Sequence, residues 1–171
     1  EIFEQFFGGA SPFGSREKAK PHYRLTITFM EAAKGVEKDV TIEGKTRKIK
    51  IPAGVDDGTH ITFGDFDLII NVSPHPTFSR DGYDIIIEMV IPLSTAFLGG
   101  EIAVPTIDGD VKLRVRPGTQ SGTMVRLRER GISHVRGRGQ GDQYIRVLVN
   151  IPEKITKHQK ELMEKLKEEG L

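Results

Sequence analysis

The sequence predicts a mainly all-β fold: two tandem β-sandwich-like domains with short helices, followed by a C-terminal helix. Three observations carry this reading. TIEGKTRKIKIPAGVDDGTHITF (Thr41 to Phe63) reappears as TIDGDVKLRVRPGTQSGTMVRL (Thr106 to Leu127) at an offset of about 65 residues, too long a period for a solenoid repeat. Short runs of β-branched and aromatic residues alternate with turn signals about every ten residues. After Pro152 the character changes to a charged stretch, Thr156 to Glu169, without Gly or Pro. The implied bounds are a linker over 1–20, a first β domain over 21–80, a second over 81–152 and a tail helix within 153–171.

The elements follow in order. EIFEQFFGGASPFGSREKAKP sets Phe3, Phe6, Phe7 and Phe13 among Gly, Ser and Pro, which reads as a short helical turn over Ile2 to Phe7 and then a flexible linker. Glu1 is not an initiator Met, so the stretch reads as the end of something larger. Tyr23 to Phe29 alternates and is a strand. Met30 to Lys34 is a helical turn stopped by Gly35. Val36 to Glu43 is a strand that turns at Glu43-Gly44 into Lys45 to Ile51. Pro52 to Gly58 is a loop closed by Asp57-Gly58. His60 to Phe63 and Phe66 to Val72 are strands. Pro74-His75-Pro76 breaks the chain, Arg80-Asp81-Gly82 turns it, and Asp84 to Ile91 opens the second module.

In that module a thirteen-residue segment, Arg128 to Gln140, separates the Gly-Thr strand from the Gly-Asp strand, whereas Phe63 runs straight into Gly64-Asp65. In the tail, Thr156 and Gln159 form a capping box. Leu162, Met163 and Leu166 give a narrow apolar stripe at helical spacing, suited to a seam against a partner or against the chain's own second module.

Composition excludes several classes. The 171 residues carry a net charge of +1, so no global field attracts nucleic acid or membrane. No apolar run reaches the roughly 18 residues of a membrane span, and no secretion leader is visible. With no Cys there are no disulfides, thiolate zinc sites or thiol nucleophiles, which fits a reducing compartment.

The chain has no GxSxG, no HExxH and no glycine-rich phosphate loop after a strand. His22, His60, His75, His134 and His158 lack metal spacing, and the paired Asp residues fall at turns. An enzyme is not expected. The basic clusters Arg136-Gly-Arg-Gly and Lys45-Thr-Arg-Lys-Ile-Lys lack the interleaved aromatics of a base-stacking platform. Peptide binding on a sheet remains. An edge between Val40-Thr41-Ile42 and Ile49-Lys50-Ile51 would accept an extended peptide, with Val40 and Ile42 as an apolar floor. The competing reading is that these residues are the module's own core. At the level of the whole chain, the alternative to peptide binding is a self-associating structural β-repeat protein.

KIKIPAGVDDGT, SPHPTFSRDGYDI, AFLGGEIAVPTIDG, RVRPGTQSGT with RLRERGI, and RGRGQGDQYIRV together resemble the carboxy-terminal half of J-domain co-chaperones, the DnaJ or forty-kilodalton heat-shock family. The resemblance runs from about Pro21 to Leu171 and is most like the bacterial and mitochondrial branch. It implies two client-binding domains, a homodimer joined by the C-terminal helix through Leu162, Met163 and Leu166, and transfer of unfolded polypeptides to the seventy-kilodalton heat-shock chaperone. The family's client groove maps onto Val40 and Ile42 on one strand and Ile49 on the next, with Tyr23 and Phe78 near its rim. The partner chaperone's acidic tail maps onto Lys45, Arg47, Lys48 and Lys50. A bacterial cytoplasm, or alternatively a mitochondrial matrix, is the implied location.

Three departures stand out. No His-Pro-Asp motif occurs, so the chain carries no J-domain signature. The Cys-x-x-Cys-Gly-x-Gly repeats usual before the strand at Lys45 are replaced by Gly44 alone, so no cofactor is expected here, zinc being expected only where the cysteine-rich region exists. The glycine-rich loop usual at Phe63-Gly64 is also missing. Together the two losses are consistent with an engineered fragment, with unseen loops or with a naturally zinc-free member.

Overall fold

A computed structural model describes residues 20–171. The helical turn expected at Ile2 to Phe7 and nearly all of the linker lie outside them. The elements are β1 (His22–Thr28), α1 (Phe29–Lys34), β2 (Val36–Ile42), β3 (Lys45–Ile51), β4 (His60–Thr62), β5 (Asp67–Ser73), β6 (Ser79–Asp81), β7 (Asp84–Pro92), α2 (Leu93–Leu98), β8 (Gly100–Val104), β9 (Val111–Val115), β10 (Met124–Leu127), β11 (Gln143–Asn150) and α3 (Lys157–Glu168). The all-β expectation is borne out, as a set of small sheets with short helices between them.

Local chemistry explains the boundaries. The first strand stops one residue short of its expected end. The Thr28 hydroxyl accepts from the Glu31 backbone N–H at 3.2 Å, and Glu31 accepts from the Thr28 N–H at 2.8 Å. That capping box starts α1 at Phe29. Gly35 ends α1 at φ 77°, where a Cβ would meet the Ala53 nitrogen at 2.8 Å. Glu43 and Gly44, at φ 50° and 76°, form the two-residue turn joining β2 to β3, the left-handed pair whose twist suits a tight hairpin.

The repeat is visible in three dimensions. In the first module β1 pairs parallel with β5, β4 closes the other side of β5, and β2–β3 form a separate antiparallel hairpin. In the second, β7 pairs parallel with β11, β10 lies beyond β11, and β8–β9 form the hairpin. Each module buries its core between its sheet and its hairpin. The first core holds Ile27, Ile42, Ile49, Ile51, Phe66, Leu68 and Ile70. The second is centred on Ile85, Ile87, Ile91, Val104, Ile145 and Val147.

The modules interlock. The turn expected at Arg80-Asp81-Gly82 begins only at Gly82, because Ser79–Asp81 pairs with β7, and the expected 80/81 boundary falls inside β6. Phe29, Ala33 and Phe78 belong to the second core, and Val72 packs against both cores. Arg80 reaches back, donating from Nη1 to the Val55 carbonyl at 2.5 Å and from Nη2 to the Gly54 carbonyl at 2.8 Å. Ser133, in the segment unique to the second module, lies so close to Gly54 that a Cβ there would overlap its carbonyl. That segment is anchored by Ile132, 1% exposed, and by His134 packed on Tyr83 at 4.4 Å.

The tail helix carries the expected capping box between Thr156 and Gln159. It does not fold back on the second module: every residue from Asn150 to Leu171 is exposed.

Candidate functional site

The alternation of β2 sorts its side chains by face. Val36, Lys38, Val40 and Ile42 lie on the inner side, and Glu37, Asp39 and Thr41 on the outer. The register sets Val40 opposite Arg47 and Ile42 opposite Lys45, so Lys45, Arg47, Ile49 and Ile51 share the inner side. Ile42 and Ile49 are 5% and 2% exposed and are core residues. Val40 and Val36 are half-buried against the same core, as are Tyr23 and Leu25 of β1.

This arrangement corrects the groove expected between the two strands. β2 and β3 pair with each other along their whole length, from Val36 opposite Ile51 to Ile42 opposite Lys45. A tight hairpin uses up the facing backbone groups, so no peptide enters between them. What remains open is the other edge of each hairpin strand, β2 and β3, and the outer edges of β1 and β4, none of which has a further strand partner among the described residues. Of these edges, those of β1 and β2 are flanked by half-buried Tyr23, Leu25, Val36 and Val40. Leu25 was missed by sequence reasoning, although its period-two spacing from Tyr23 could have marked it.

Tyr23 meets Phe66 edge-on at 5.8 Å, and Phe66 stacks on Phe63 at 4.7 Å. Phe78 lies elsewhere. It is 7% exposed in the second core, stacked on Phe29 at 5.7 Å and packed against His75.

The basic strand is not one cationic row. Lys48 and Lys50 point outward, opposite Asp39 and Glu37. Arg47, on the inner row, forks onto Asp65 with hydrogen bonds of 2.9 and 2.6 Å, and its guanidinium lies 5.5 Å from the Phe66 ring. Hydrogen bonding from Arg47 holds the Asp65 carboxyl below the usual carboxylate range. Asp142 holds the matching place before β11. It accepts from the Glu129 N–H, which with Arg126 lowers its pKa.

Among the described residues no three His, Asp or Glu side chains gather as a metal site, and no helix is long and apolar enough to cross a membrane.

Comparison with known proteins gives a single direction. Residues 21–152 match the family model described as the DnaJ C terminal domain. The chain is 46% identical over 138 residues to the Chaperone protein DnaJ of Clostridioides difficile, covering 73% of this chain and 36% of that protein. It is 43% identical over 134 residues to that of Caldicellulosiruptor saccharolyticus, covering 71% and 35%. By these matches the chain spans about a third of the length of its relatives. Against the Chaperone protein DnaJ of Ruminiclostridium cellulolyticum it is 31% identical over 262 positions, covering 98% of this chain. Those positions exceed the chain's 171 residues, so at least 91 of them face gaps here.

Proposed function

Since this chain belongs to the DnaJ C-terminal domain family, we propose that it is the client-binding part of a co-chaperone: it holds unfolded polypeptide segments and hands them to the seventy-kilodalton heat-shock chaperone. The observation that carries this is that two strand edges without a partner among the described residues, those of β1 and β2, are flanked by half-buried apolar side chains. Unfolded chains expose unpaired backbone groups and apolar side chains together. A free edge satisfies the first by adding a strand, and Tyr23, Leu25, Val36 and Val40 shelter the second without demanding a sequence. Each Leu or Phe so covered contributes roughly 1.5–3 kcal/mol before ordering costs, so one site holds a client weakly enough to release it.

The exposed apolar row of α3 joins two copies, and two arms raise avidity by roughly 10²–10⁴ where one client spans both. An acidic partner tail would meet Lys48 and Lys50 on an outer surface already half-neutralised by Asp39 and Glu37, while Lys45 lies on the inner row beside Arg47, itself engaged by Asp65. No metal takes part in this binding scheme. Val40→Asp tests the reading. It places a charge beside the open edge at a half-buried position, so the fold survives. Binding of a fluorescent apolar peptide, followed by anisotropy, should weaken at least roughly tenfold, the equivalent of about 1.4 kcal/mol. Unchanged affinity with a native circular dichroism spectrum would remove β2 from the site. Ile42→Asp would not serve, because it buries a charge in the core.

A further inference from the structure

The internal repeat exposes a difference between the two hairpins. Counting 64 positions on, the register is kept: Val36 opposite Ile51 becomes Gly100 opposite Val115. The outer rows then correspond residue by residue. In the first module Lys48 faces Asp39 and Lys50 faces Glu37, two cations against two carboxylates. In the second, Lys112 faces Ala103 and Arg114 faces Glu101, and Arg116 follows at the same spacing where the first module has Pro52. Three cations thus stand against one carboxylate. All three are exposed, and no ion pair among the described residues uses them. Of the two acids in the turn between β8 and β9, Asp108 is turned toward Arg130 at 3.9 Å, and Asp110 lies before the strand.

The edge beside this row is open. β9 pairs only with β8 among the described residues, and none of the turn or loop backbone hydrogen bonds uses a backbone group of Val111–Val115. On the inner row, Val111 and Leu113 are half-buried against the second core. The first-module counterpart of Val111 is Arg47, which Asp65 holds. Only the second hairpin therefore sets an apolar inner row and an unneutralised cationic outer row along one free edge. We infer that the free edge of β9 binds an extended client segment with Asp or Glu at alternate positions and apolar residues between them. Added as a further strand, such a segment pairs its backbone with β9 and sets its carboxylates across from Lys112, Arg114 and Arg116, both rows repeating at about 7 Å. Opposite charges across a strand pair stabilise it and like charges destabilise it, so the same edge rejects segments rich in Lys or Arg. The apolar edges of the first module select no charge, and β9 adds a grip that does. Its occupant rests on the client reading above.

Fluorescence anisotropy with the full chain and a labelled Glu-Val-Glu-Val-Glu-Val-Glu peptide tests it. The peptide should bind, and should weaken as salt rises from about 0.05 to about 0.5 M. It should bind roughly tenfold better than the same peptide with Gln in place of Glu. Lys112→Ser with Arg114→Ser, at exposed positions, should weaken it roughly tenfold, and Ala103→Asp, which copies the acid of the first module, roughly threefold. Lys48→Ser with Lys50→Ser should leave it unchanged. Methylating every second peptide nitrogen should abolish binding in one of the two phases, because those nitrogens face β9. If the β3 variant loses the peptide and the β9 variant keeps it, the assignment to β9 falls. If both methylated peptides bind as the parent does, no strand is added and the edge reading falls. Equal binding of the Gln peptide would overturn the charge selection. Displacement by a single-stranded oligonucleotide at a lower concentration than by unlabelled acidic peptide would assign the row to phosphates and overturn the occupant. An apolar peptide separates this inference from the client reading. If the apolar peptide binds and the acidic one does not, β9 alone is wrong; the reverse result removes the edges of β1 and β2 and leaves β9 standing.

Discussion

Replacing Arg80 by Met should uncouple the two modules. The guanidinium is the donor to the carbonyls of Gly54 and Val55, at 2.8 and 2.5 Å, from a side chain only 14% exposed. Its Nε bond to the Gly82 carbonyl is local to the β6–β7 turn, and its contact with Asp56 at 3.6 Å involves a carboxylate 61% exposed, worth little in solvent. Arg80's own cross-module contribution therefore sits in the two carbonyl bonds, beside the apolar contacts of Phe29, Ala33 and Val72. Hydrogen bonds from a charged donor contribute about 1.5–3 kcal/mol each. Met keeps most of the aliphatic packing but leaves both carbonyls without that donor. A loss of about 3 kcal/mol follows, which at a urea slope of about 2 kcal/mol/M lowers the midpoint by about 1.5 M. Unfolding should be followed by tyrosine fluorescence and by far-ultraviolet circular dichroism, and the two transitions should separate as the modules unfold independently. A midpoint shift under about 0.3 M, with coincident transitions, would mean that water replaces the guanidinium without penalty and that the modules are held by apolar contacts alone.

Other substitutions probe other links. Gly54→Ala adds a Cβ onto the Ser133 carbonyl at a φ of 90°, so thermal melting should show a loss of at least about 2 kcal/mol. Phe78→Ala should cost about 3–5 kcal/mol of stability while leaving the peptide affinity of the folded protein unchanged, since Phe78 lies in the second core. Asp65 and Asp142 both have folded pKa values below their ordinary ones. The stability they contribute is present above the unfolded carboxylate value, near pH 4, and is lost as pH falls through the folded values. Asp142→Asn should therefore flatten the decline in melting temperature between pH 5 and pH 2, and an unchanged acid limb would show that Asp142 is not among its causes.

The elements that speak through local chemistry were legible in the sequence. Gly35 and the Glu43-Gly44 turn fixed the end of α1 and the β2–β3 hairpin, and Thr156 with Gln159 fixed the start of α3. The strand at Tyr23 ends one residue before its alternation does, because the Thr28-x-x-Glu31 capping box starts α1 at Phe29. β6 was not legible: Ser79, Arg80 and Asp81 carry no β pattern and become a strand only because the Gly82 turn folds them onto β7. The site was legible as a neighbourhood but not as a geometry. The spacing that sends Lys48 and Lys50 outward and Arg47 inward is written in the alternation. The Asp65 that captures Arg47 lies 18 residues away, beyond the reach of any local pattern. Period two likewise put Val40 and Ile42 on one face without saying that Ile42 would sink into the core while Val40 stayed half open.

Both modules are tied through their centres by parallel strands whose partners are distant in sequence. His22 lies opposite Asp67, 45 positions on, and Ile85 lies opposite Gln143, 58 positions on. Neither pairing can form until a long loop has closed, and loop closure must be met before the contacts reward it. Each module is therefore slow to fold relative to its size, and its early hairpins, β2–β3 and β8–β9, hold no core by themselves. A newly made copy passes through an interval in which strands such as DLIINV and DIIIEMVI are apolar, unpaired and extended. During that interval the chain is chemically the same kind of object as the clients proposed for its finished form.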